Sequence, residues 1–275
     1  MKNIKFTFPY GKMKVLTLSY DDGVEQDFKF VEILNKYKIK CTFNLNSAVP
    51  PGYNWTCNNK DIYRINIKEN IDLYKGHEVA IHTLSHPDLT KLSTVEIRSE
   101  VAEDQKRLEK IFNREIRGMA YPFGTYNDNI IEILDKLEIK YARTIEDTES
   151  FQFPENYLAW HPTCRHKNEN LMNLAEEFIR SSHEDMKLFY LWGHSYEFYV
   201  DDNWNVIEEF CEYMGSNDKI WYATNMEIYD YMKAIELVEI NEENNIVINN
   251  SNEKIWLYID GELKSINSRD ILKVS

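Results

Sequence analysis

The sequence predicts an α/β fold in which a parallel β-sheet closes, or nearly closes, into a barrel that is followed by a small β appendage. Three observations support this fold class. Short runs rich in β-branched and aromatic residues alternate with stretches of helical period, as they do in parallel sheets. The alternation recurs about seven times in about 235 residues, which suits a barrel. After Leu237 the pattern changes to short β-type runs alone.

Seven runs have the composition of buried strands, and a ring of parallel strands accommodates them. A doubly wound open sheet is the alternative, but the chain has no Gly-rich nucleotide-binding loop to support it. The runs are V-L-T-L-S-Y from Val15, C-T-F-N-L-N from Cys41, H-E-V-A-I-H from His77, R-G-M-A-Y from Arg117, K-Y-A-R-T from Lys140, K-L-F-Y-L-W-G from Lys187 and K-I-W-Y-A-T from Lys219.

The stretches between these runs carry helical periodicity and helix-end signals. Residues 28–38 place apolar side chains on one helical face. Ser93 and Glu96 form a capping box at the start of a helix predicted to reach residue 112. Asn127 can cap a further helix, and Gly215 can end another.

Residues 238–275 are predicted to form the β appendage, packed on a barrel that comprises residues 1–237. The run K-I-W-L-Y-I-D-G-E-L-K-S-I is typical of a hairpin with Asp260-Gly261 at its turn. We expect the appendage to carry no chemistry. A small carbohydrate-binding or dimerising module is the alternative.

Composition limits the partners of the chain. Its 275 residues carry a net charge of −14 that is spread along the chain. Repulsion should disfavour nucleic acid and anionic membranes, so a neutral or cationic substrate fits better.

Four cysteines without a C-x-x-C pair indicate isolated thiols and a reducing compartment. No signal peptide is visible and a cytoplasmic location is expected, although a trimmed secreted protein would look the same. The oligomeric state is left open.

Two adjacent carboxylates, Asp21 and Asp22, directly follow the first predicted strand. A turn without function would explain Asp22-Gly23 on its own. In a parallel barrel, however, the loops at the C-terminal ends of the strands converge on one mouth, where catalytic groups lie. The position of the pair therefore predicts that it belongs to a functional site.

His82 and His86 stand four residues apart where the third predicted strand ends. Two imidazoles and a carboxylate can bind one divalent cation, such as Zn, Co, Ni or Fe, with positions open for water and substrate. The same spacing also arises by chance on exposed helices, but Pro87 argues against a continuing helix. Thr83 replaces the Glu that the H-E-x-x-H metalloprotease pattern requires.

Two further strand ends carry candidate catalytic groups. His194 ends the sixth strand and can act as a general acid, because its pKa lies near neutrality. The alternative is a histidine that is merely hydrogen-bonded beneath a loop. The fourth strand ends in A-Y-P-F-G, where Pro122 and Gly124 force a turn. Backbone N–H groups of this turn can face the mouth and form an oxyanion hole.

Four motifs therefore stand in order along residues 12–235. They are Tyr20-Asp21-Asp22-Gly23, His82-Thr83-Leu84-Ser85-His86, Tyr121-Pro122-Phe123-Gly124 and Leu191-Trp192-Gly193-His194. They resemble four of the five motifs of the NodB-type polysaccharide deacetylases, carbohydrate esterase family 4. The resemblance implies a distorted (β/α)7 barrel and metal-dependent removal of an N- or O-acetyl group from a sugar.

The resemblance also implies one divalent metal ion, Zn in the first instance, as cofactor and an acetylated carbohydrate as substrate. Water near the ion attacks the acetyl carbonyl, and no covalent acyl-enzyme is required. The implied roles are Asp21 as general base, Asp22, His82 and His86 as metal ligands, His194 as general acid and the Phe123 N–H as oxyanion donor.

The chain departs from the family at two motifs. Ala120 stands where an Arg usually precedes the turn of the third motif and orients the base. Arg143, at the end of the fifth strand, is the candidate substitute, whereas Arg117 lies at the opposite end of its strand. The fourth motif is not recognisable.

Aromatic and polar side chains near the motifs are expected to contact a sugar, because an aromatic face stacks on a pyranose. For Trp160, a place in the hydrophobic core is the alternative. The candidates are Tyr121, Pro122, Trp160, His161 and Trp192.

Three functions stay open at this point. The first is a hydrolytic carbohydrate deacetylase, and the second is an amidohydrolase of the same fold that acts on a small non-sugar amide or cyclic imide. The third is a catalytically silent sugar-binding relative. Asp21 argues against the third, because binding alone requires no general base.

Overall fold

The protein is described by a computed structural model that covers residues 3–241 and 243–274. The strands are β1 (Ile4–Thr7), β2 (Lys14–Asp21), β3 (Thr42–Leu45), β4 (Gly52–Cys57), β5 (Lys60–Arg64), β6 (Glu78–Ile81), β7 (Gly118–Ala120), β8 (Tyr141–Arg143), β9 (Cys164–Arg165), β10 (Lys187–Gly193), β11 (Ile220–Tyr222), β12 (Val238–Asn241), β13 (Ile246–Asn249), β14 (Ile255–Ile259), β15 (Glu262–Ile266) and β16 (Ile271–Lys273). The α-helices are α1 (Asp27–Lys36), α2 (Thr94–Phe112), α3 (Asp128–Lys136), α4 (Leu171–Arg180), α5 (Ser195–Val200), α6 (Trp204–Met214) and α7 (Asn225–Glu236).

A curled parallel sheet forms the core, with the strand order β8-β7-β6-β3-β2-β10-β9. The eighth strand, β11, pairs with the first residues of β2, while β3 pairs with its last residues. All seven predicted strands are present. Every residue of β2 is buried, as expected for the central strand of a parallel sheet that is covered on both faces.

An irregular segment brings the two edges of this sheet together. Trp160 donates its backbone N–H to Ala142 at 2.9 Å, and Thr144 donates to the carbonyl of Trp160 at 3.0 Å. Four residues later, Cys164 begins β9 and pairs with β10. The predicted (β/α)7 barrel is confirmed, and its distortion lies where this segment takes the place of a regular strand.

The four predicted helices coincide with α1, α2, α3 and α6. Ser93 and Glu96 form the reciprocal capping box at the start of α2. Asn127 accepts the Ile130 N–H at 3.0 Å at the start of α3, and Gly215 follows the last residue of α6. Local capping chemistry therefore sets these helix ends.

The C-terminal strands form two small antiparallel sheets. The predicted hairpin is present as β14 and β15, with Asp260 and Gly261 at positive φ in its turn. Strand β1, from the other end of the chain, pairs with β14, and the second sheet has the order β12-β13-β16. Ile255 of β14 shares a core cluster with Phe8, so this unit packs on the barrel.

The division of the chain at residues 237 and 238 stays a prediction. Residues 1, 2, 242 and 275, which fall within the two predicted units, lie outside the described residues. Among the described residues, no helix combines the length and the apolar character that crossing a membrane requires.

Because the strands of the main sheet are parallel, their C-terminal ends open on one side of the barrel. We call this side the mouth, at the ends of β2, β3, β6, β7, β8 and β10. We call the opposite side the base, where β2, β10 and β11 begin.

Candidate active site

Asp21 is the last residue of β2, and both of its carboxylate oxygens are hydrogen-bonded. Asn44 donates to Oδ1 at 2.7 Å, and Arg143 donates to Oδ2 at 2.5 Å. Burial raises the pKa of Asp21, but the charges of Arg143, His82 and His194 outweigh burial and lower the pKa to about 2. Asp21 is therefore ionised at neutral pH.

Asp22 has a guanidinium partner of its own. Arg64, at the end of β5, donates to Asp22 Oδ1 at 2.9 Å and also contacts the Asp22 backbone carbonyl. Burial raises the pKa of Asp22, and the Arg64 charge is the largest of the influences that bring it below its ordinary value. Two neighbouring carboxylates can both stay ionised here because each has a separate cation.

His82 has one ring nitrogen fixed and the other directed into the site. Nδ1 lies 2.9 Å from the Ala120 carbonyl oxygen, which selects the tautomer with a proton on Nδ1. Its Nε2 is buried and has no hydrogen-bond partner among the described residues. Burial lowers the pKa of His82 to about 4, so the ring is neutral, which is the form that binds metals.

Asp22, His82 and His86 each offer one ligand atom, and these atoms lie within 4.8 Å of one another. His86 Nε2 is 3.9 Å from Asp22 Oδ1. The buried, unpartnered Nε2 of His82 and a donor set of two imidazoles and one carboxylate both fit a divalent cation. The three predicted ligands can therefore serve one ion.

The backbone is strained at the mouth. Asp22, Thr83, His86 and Phe123 have φ values of 87°, 65°, 63° and 59°, a left-handed conformation that is costly for residues other than glycine. Asn46 supports this geometry, since its Nδ2 donates to the Thr83 carbonyl at 2.9 Å. Such strain persists where the surrounding structure holds side chains in a required direction.

His194 follows β10 and faces the acid pair. Its Nε2 is 3.7 Å from Asp21 Oδ2, and its Nδ1 is 3.3 Å from Glu197 Oε2 on α5. Burial lowers the pKa of His194, but the hydrogen bond that its Nδ1 donates to Glu197 and the charges of Asp22 and Asp21 raise it above its ordinary value. The protonated form is thereby favoured.

A cavity of about 580 Å³ lies over these groups. Trp55 and Tyr196 form part of its wall, with their rings 5.1 Å apart. Trp192 forms another part, with the guanidinium groups of Arg143 and Arg165 over its ring at 4.8 and 5.0 Å. Of the predicted residues, those that line the cavity are Asp21, Asp22, His82, His86, Tyr121, Phe123, Trp192 and His194.

The remaining predicted residues lie elsewhere. Arg143 is fully buried behind Asp21. Trp160 is 1% exposed and packs in the core against Tyr190, so no face of its ring is open to a sugar. His161 Nδ1 lies 2.7 Å from the Thr144 hydroxyl, and Pro122 is buried in its turn.

Sequence reasoning missed several residues of the site. Asn44 stands at the end of β3, so the strand-end rule could have identified it. Glu197 stands three residues after His194, a spacing at which side chains meet on a helix. Arg64 and Trp55 lie in the β4–β5 hairpin and belong to no local motif, so only the tertiary structure places them at the mouth.

A sequence profile of the family described as Polysaccharide deacetylase matches residues 9–142. Peptidoglycan-N-acetylglucosamine deacetylase of Bacillus cereus is 28% identical over 129 residues, which are 45% of this chain and 41% of that protein. Poly-beta-1,6-N-acetyl-D-glucosamine N-deacetylase of Staphylococcus aureus is 28% identical over 141 residues, which are 47% of each chain. The chain thus spans less than half the length of these curated relatives.

A crystal structure from Mycobacterium smegmatis matches 86% of this chain and 96% of its own chain, with a TM-score of 0.59 and 13% identity. At this identity the likeness concerns the fold alone. This structural match extends the similarity in fold beyond residue 142 to most of the barrel.

Proposed function

We propose that this chain, whose residues 9–142 match the polysaccharide deacetylase family, is a metal-dependent hydrolase that removes N- or O-linked acetyl groups from a carbohydrate. One observation carries the proposal. Ionised Asp21 and His194 Nε2 lie 3.7 Å apart and face the same cavity as the clustered ligand atoms of Asp22, His82 and His86. The residues proposed as base, acid and cation ligands thus surround one volume, which supports the reaction of an acetyl group there.

Asp22, His82 and His86 would hold the cation, with Zn first among the candidates. When bound, a divalent cation polarises a carbonyl oxygen and makes nearby water more acidic. Asp22 is held for this role by Arg64, and His82 by the Ala120 carbonyl.

Asp21 is proposed as the general base, which accepts the proton of the attacking water. Asn44 donates a hydrogen bond to Oδ1 of Asp21, and Arg143 donates one to Oδ2. These two bonds keep the carboxylate fixed and charged. A carboxylate with a pKa of about 2 is a weak base, so the mechanism requires water of increased acidity at the same place.

His194 is proposed as the general acid, which gives the Nε2 proton to the departing amine or hydroxyl. The Glu197 carboxylate accepts from Nδ1, so the ring presents Nε2 to the cavity. The same contact raises the pKa of His194, which favours the acid form before the leaving group departs.

The Phe123 N–H is proposed to stabilise the oxyanion, as a member of the strained turn at the end of β7. Tyr121 and Trp192 are proposed to contact the sugar, since both line the cavity. Trp55 and Tyr196, which are half-buried, add aromatic surface to the same cavity, which suits stacking on a pyranose.

The proposal is tested by measuring acetate release with the metal-loaded protein. The substrates are N-acetylglucosamine oligomers, acetylated xylan and a panel of small amides and cyclic imides. We expect acetate from at least one sugar substrate. Turnover of a small amide without release from any sugar would favour the amidohydrolase instead, and binding of sugars without any turnover would favour the silent relative.

A further inference from the structure

A second polar cavity lies at the base of the barrel, on the side opposite the mouth. Its volume is about 340 Å³, and its wall includes Lys5, Lys12, Lys219, His183 and Tyr10. We call these five residues the base cluster. Lys14 and Asp21 are the two ends of β2, so the base and the mouth are roughly 20 Å apart at ~3.3 Å per residue.

The base cluster has an excess of positive charge. The ammonium group of Lys5 donates to the His183 carbonyl at 2.8 Å, and that of Lys12 donates to the Ile220 carbonyl at 2.9 Å. Carbonyl groups satisfy hydrogen bonds but carry no net charge, so they leave the cationic charge in place. Among the described residues of the cavity wall, Asp218 contributes one carboxylate, compared with three lysines.

Lys14 and Lys187 lie close enough to His183 to influence its charge, and they add to this excess. Burial lowers the pKa of His183, and the charges of Lys14, Lys219, Lys187 and Lys5 lower it further. The net charge of −14 belongs to the whole chain, but screening limits each charge to about 8 Å at physiological salt. A ligand at the base therefore meets the local lysines first.

Tyr10 is the second feature of the base. Its φ of 64° lies in the left-handed region, where a bulky residue is strained. Its side chain is nevertheless 73% exposed to solvent. One side of its ring packs on Trp256, with ring centroids 4.8 Å apart. Tyr10 also borders a neighbouring cavity of about 430 Å³, whose wall includes Trp221 and Glu253 together with Glu227 and Asp230. Glu227 is paired with Lys40 and Asp230 with Arg117. The strained turn holds an exposed aromatic ring between the cavity lined by lysines and a cavity lined by aromatic rings and carboxylates.

We propose that the base cluster binds a polysaccharide that bears anionic groups, with a sugar ring against Tyr10 and its carboxylate or phosphate among the lysines. Aromatic rings stack on the apolar face of a pyranose, and ammonium groups attract the anion. Glu253 and Trp221 in the adjoining cavity suit the hydroxyl groups and the face of a neighbouring sugar unit. This inference takes the carbohydrate class of the ligand from the proposed function.

A remote site of this kind would retain a polymer near the mouth through two-point attachment. It would increase turnover of long anionic chains, while short soluble substrates would react as before. The base cluster therefore concerns the selection of the polymer and takes no part in the chemical step.

Binding of galacturonate oligomers, neutral dextran oligomers and polyphosphate to the purified chain tests this inference by titration calorimetry. We expect the galacturonate oligomers to bind more tightly than either other probe, with affinity falling as salt rises. Tyr10→Asn should weaken this binding about tenfold, since it removes the ring while asparagine tolerates the left-handed backbone. Lys219→Gln, at an exposed position, should weaken it severalfold.

The matched controls are Tyr213→Ala and Lys110→Gln, which change exposed residues of α6 and α2. Both variants should bind the galacturonate oligomers as the unaltered chain does. Thermal unfolding of each variant shows that it folds. Absence of galacturonate binding would overturn the inference, and so would equal binding of dextran. Equal binding of polyphosphate, unaffected by Tyr10→Asn, would reduce the base cluster to a simple anion site and also overturn it.

The same titration with Asp21→Asn separates this inference from the proposed function. Asp21→Asn should bind galacturonate as the unaltered chain does. Galacturonate binding by an unaltered chain that releases no acetate from any substrate refutes the deacetylase alone. Acetate release without galacturonate binding refutes the base site alone.

Discussion

The mouth and the base of the barrel hold their buried charges in different ways. At the mouth, Asp21 and Asp22 are each paired with one guanidinium, from Arg143 and Arg64. At the base, Lys14 is equally buried, but its ammonium group donates to the neutral carbonyls of Ile179 and Ser181. Charge is balanced by ion pairs at the mouth, whereas the buried lysine at the base is held by neutral carbonyl groups.

We relate this difference to the functions proposed for the two regions. A buried ion pair costs desolvation free energy, and apolar residues of the same volume often stabilise a fold equally well. At the mouth the pairs fix the charge and direction of the groups that we propose act on the acetyl bond. At the base, carbonyl acceptors hold the lysines in place without cancelling their charge. Four variants test this comparison, and they are given in order of the expected effect on activity or stability.

Asp21→Asn should have the largest effect on activity. We expect acetate release to fall about 10³-fold, because the amide cannot accept a proton from water. Metal analysis should still find the ion, since Asp22, His82 and His86 are unchanged. The control is Asp135→Asn, an exposed position on α3. Loss of the metal would mean that the roles of Asp21 and Asp22 are exchanged.

Arg143→Met should have the largest effect on stability. It leaves the Asp21 carboxylate buried beside an apolar side chain, so the free energy of unfolding should fall by about 3–5 kcal/mol in chemical denaturation. Adding Asp21→Asn to this variant should restore much of the loss, because no charge is then left unpaired. A double variant no more stable than the single one would contradict the pairing.

Glu197→Gln should reduce acetate release from an acetylated amine about tenfold, because His194 is then held less firmly and protonated less fully. Release from 4-nitrophenyl acetate should fall less, since its leaving group departs without a proton. Glu197 also pairs with Arg165 at 2.5 Å, so thermal unfolding should accompany the assay. An equal fall for both substrates would indicate a purely structural role.

Lys14→Met should change stability least. It removes two hydrogen bonds to carbonyls at the end of α4, and it also relieves repulsion from Lys187 and Lys219. We expect the free energy of unfolding to change by about 1 kcal/mol in chemical denaturation. A loss as large as that of Arg143→Met would show that the base is held as firmly as the mouth.

Much of the barrel and of the mouth can be predicted from sequence because the signals are local. Strand periodicity, the Ser93–Glu96 capping box and the Asn127 cap depend on neighbours a few residues apart. The strand-end rule then places Asp21 and His194 at one mouth without any knowledge of long-range contacts.

The tertiary structure alone decided which partners these residues meet. Arg64 reaches Asp22 from a hairpin that carries no motif, and β1 pairs with β14 across most of the chain. Trp160 follows no regular strand, so its sequence pattern could not show that the ring turns into the core. Sequence patterns record interactions between near neighbours, whereas pairings between distant segments depend on how the sheet closes and which side chains fill the space that remains.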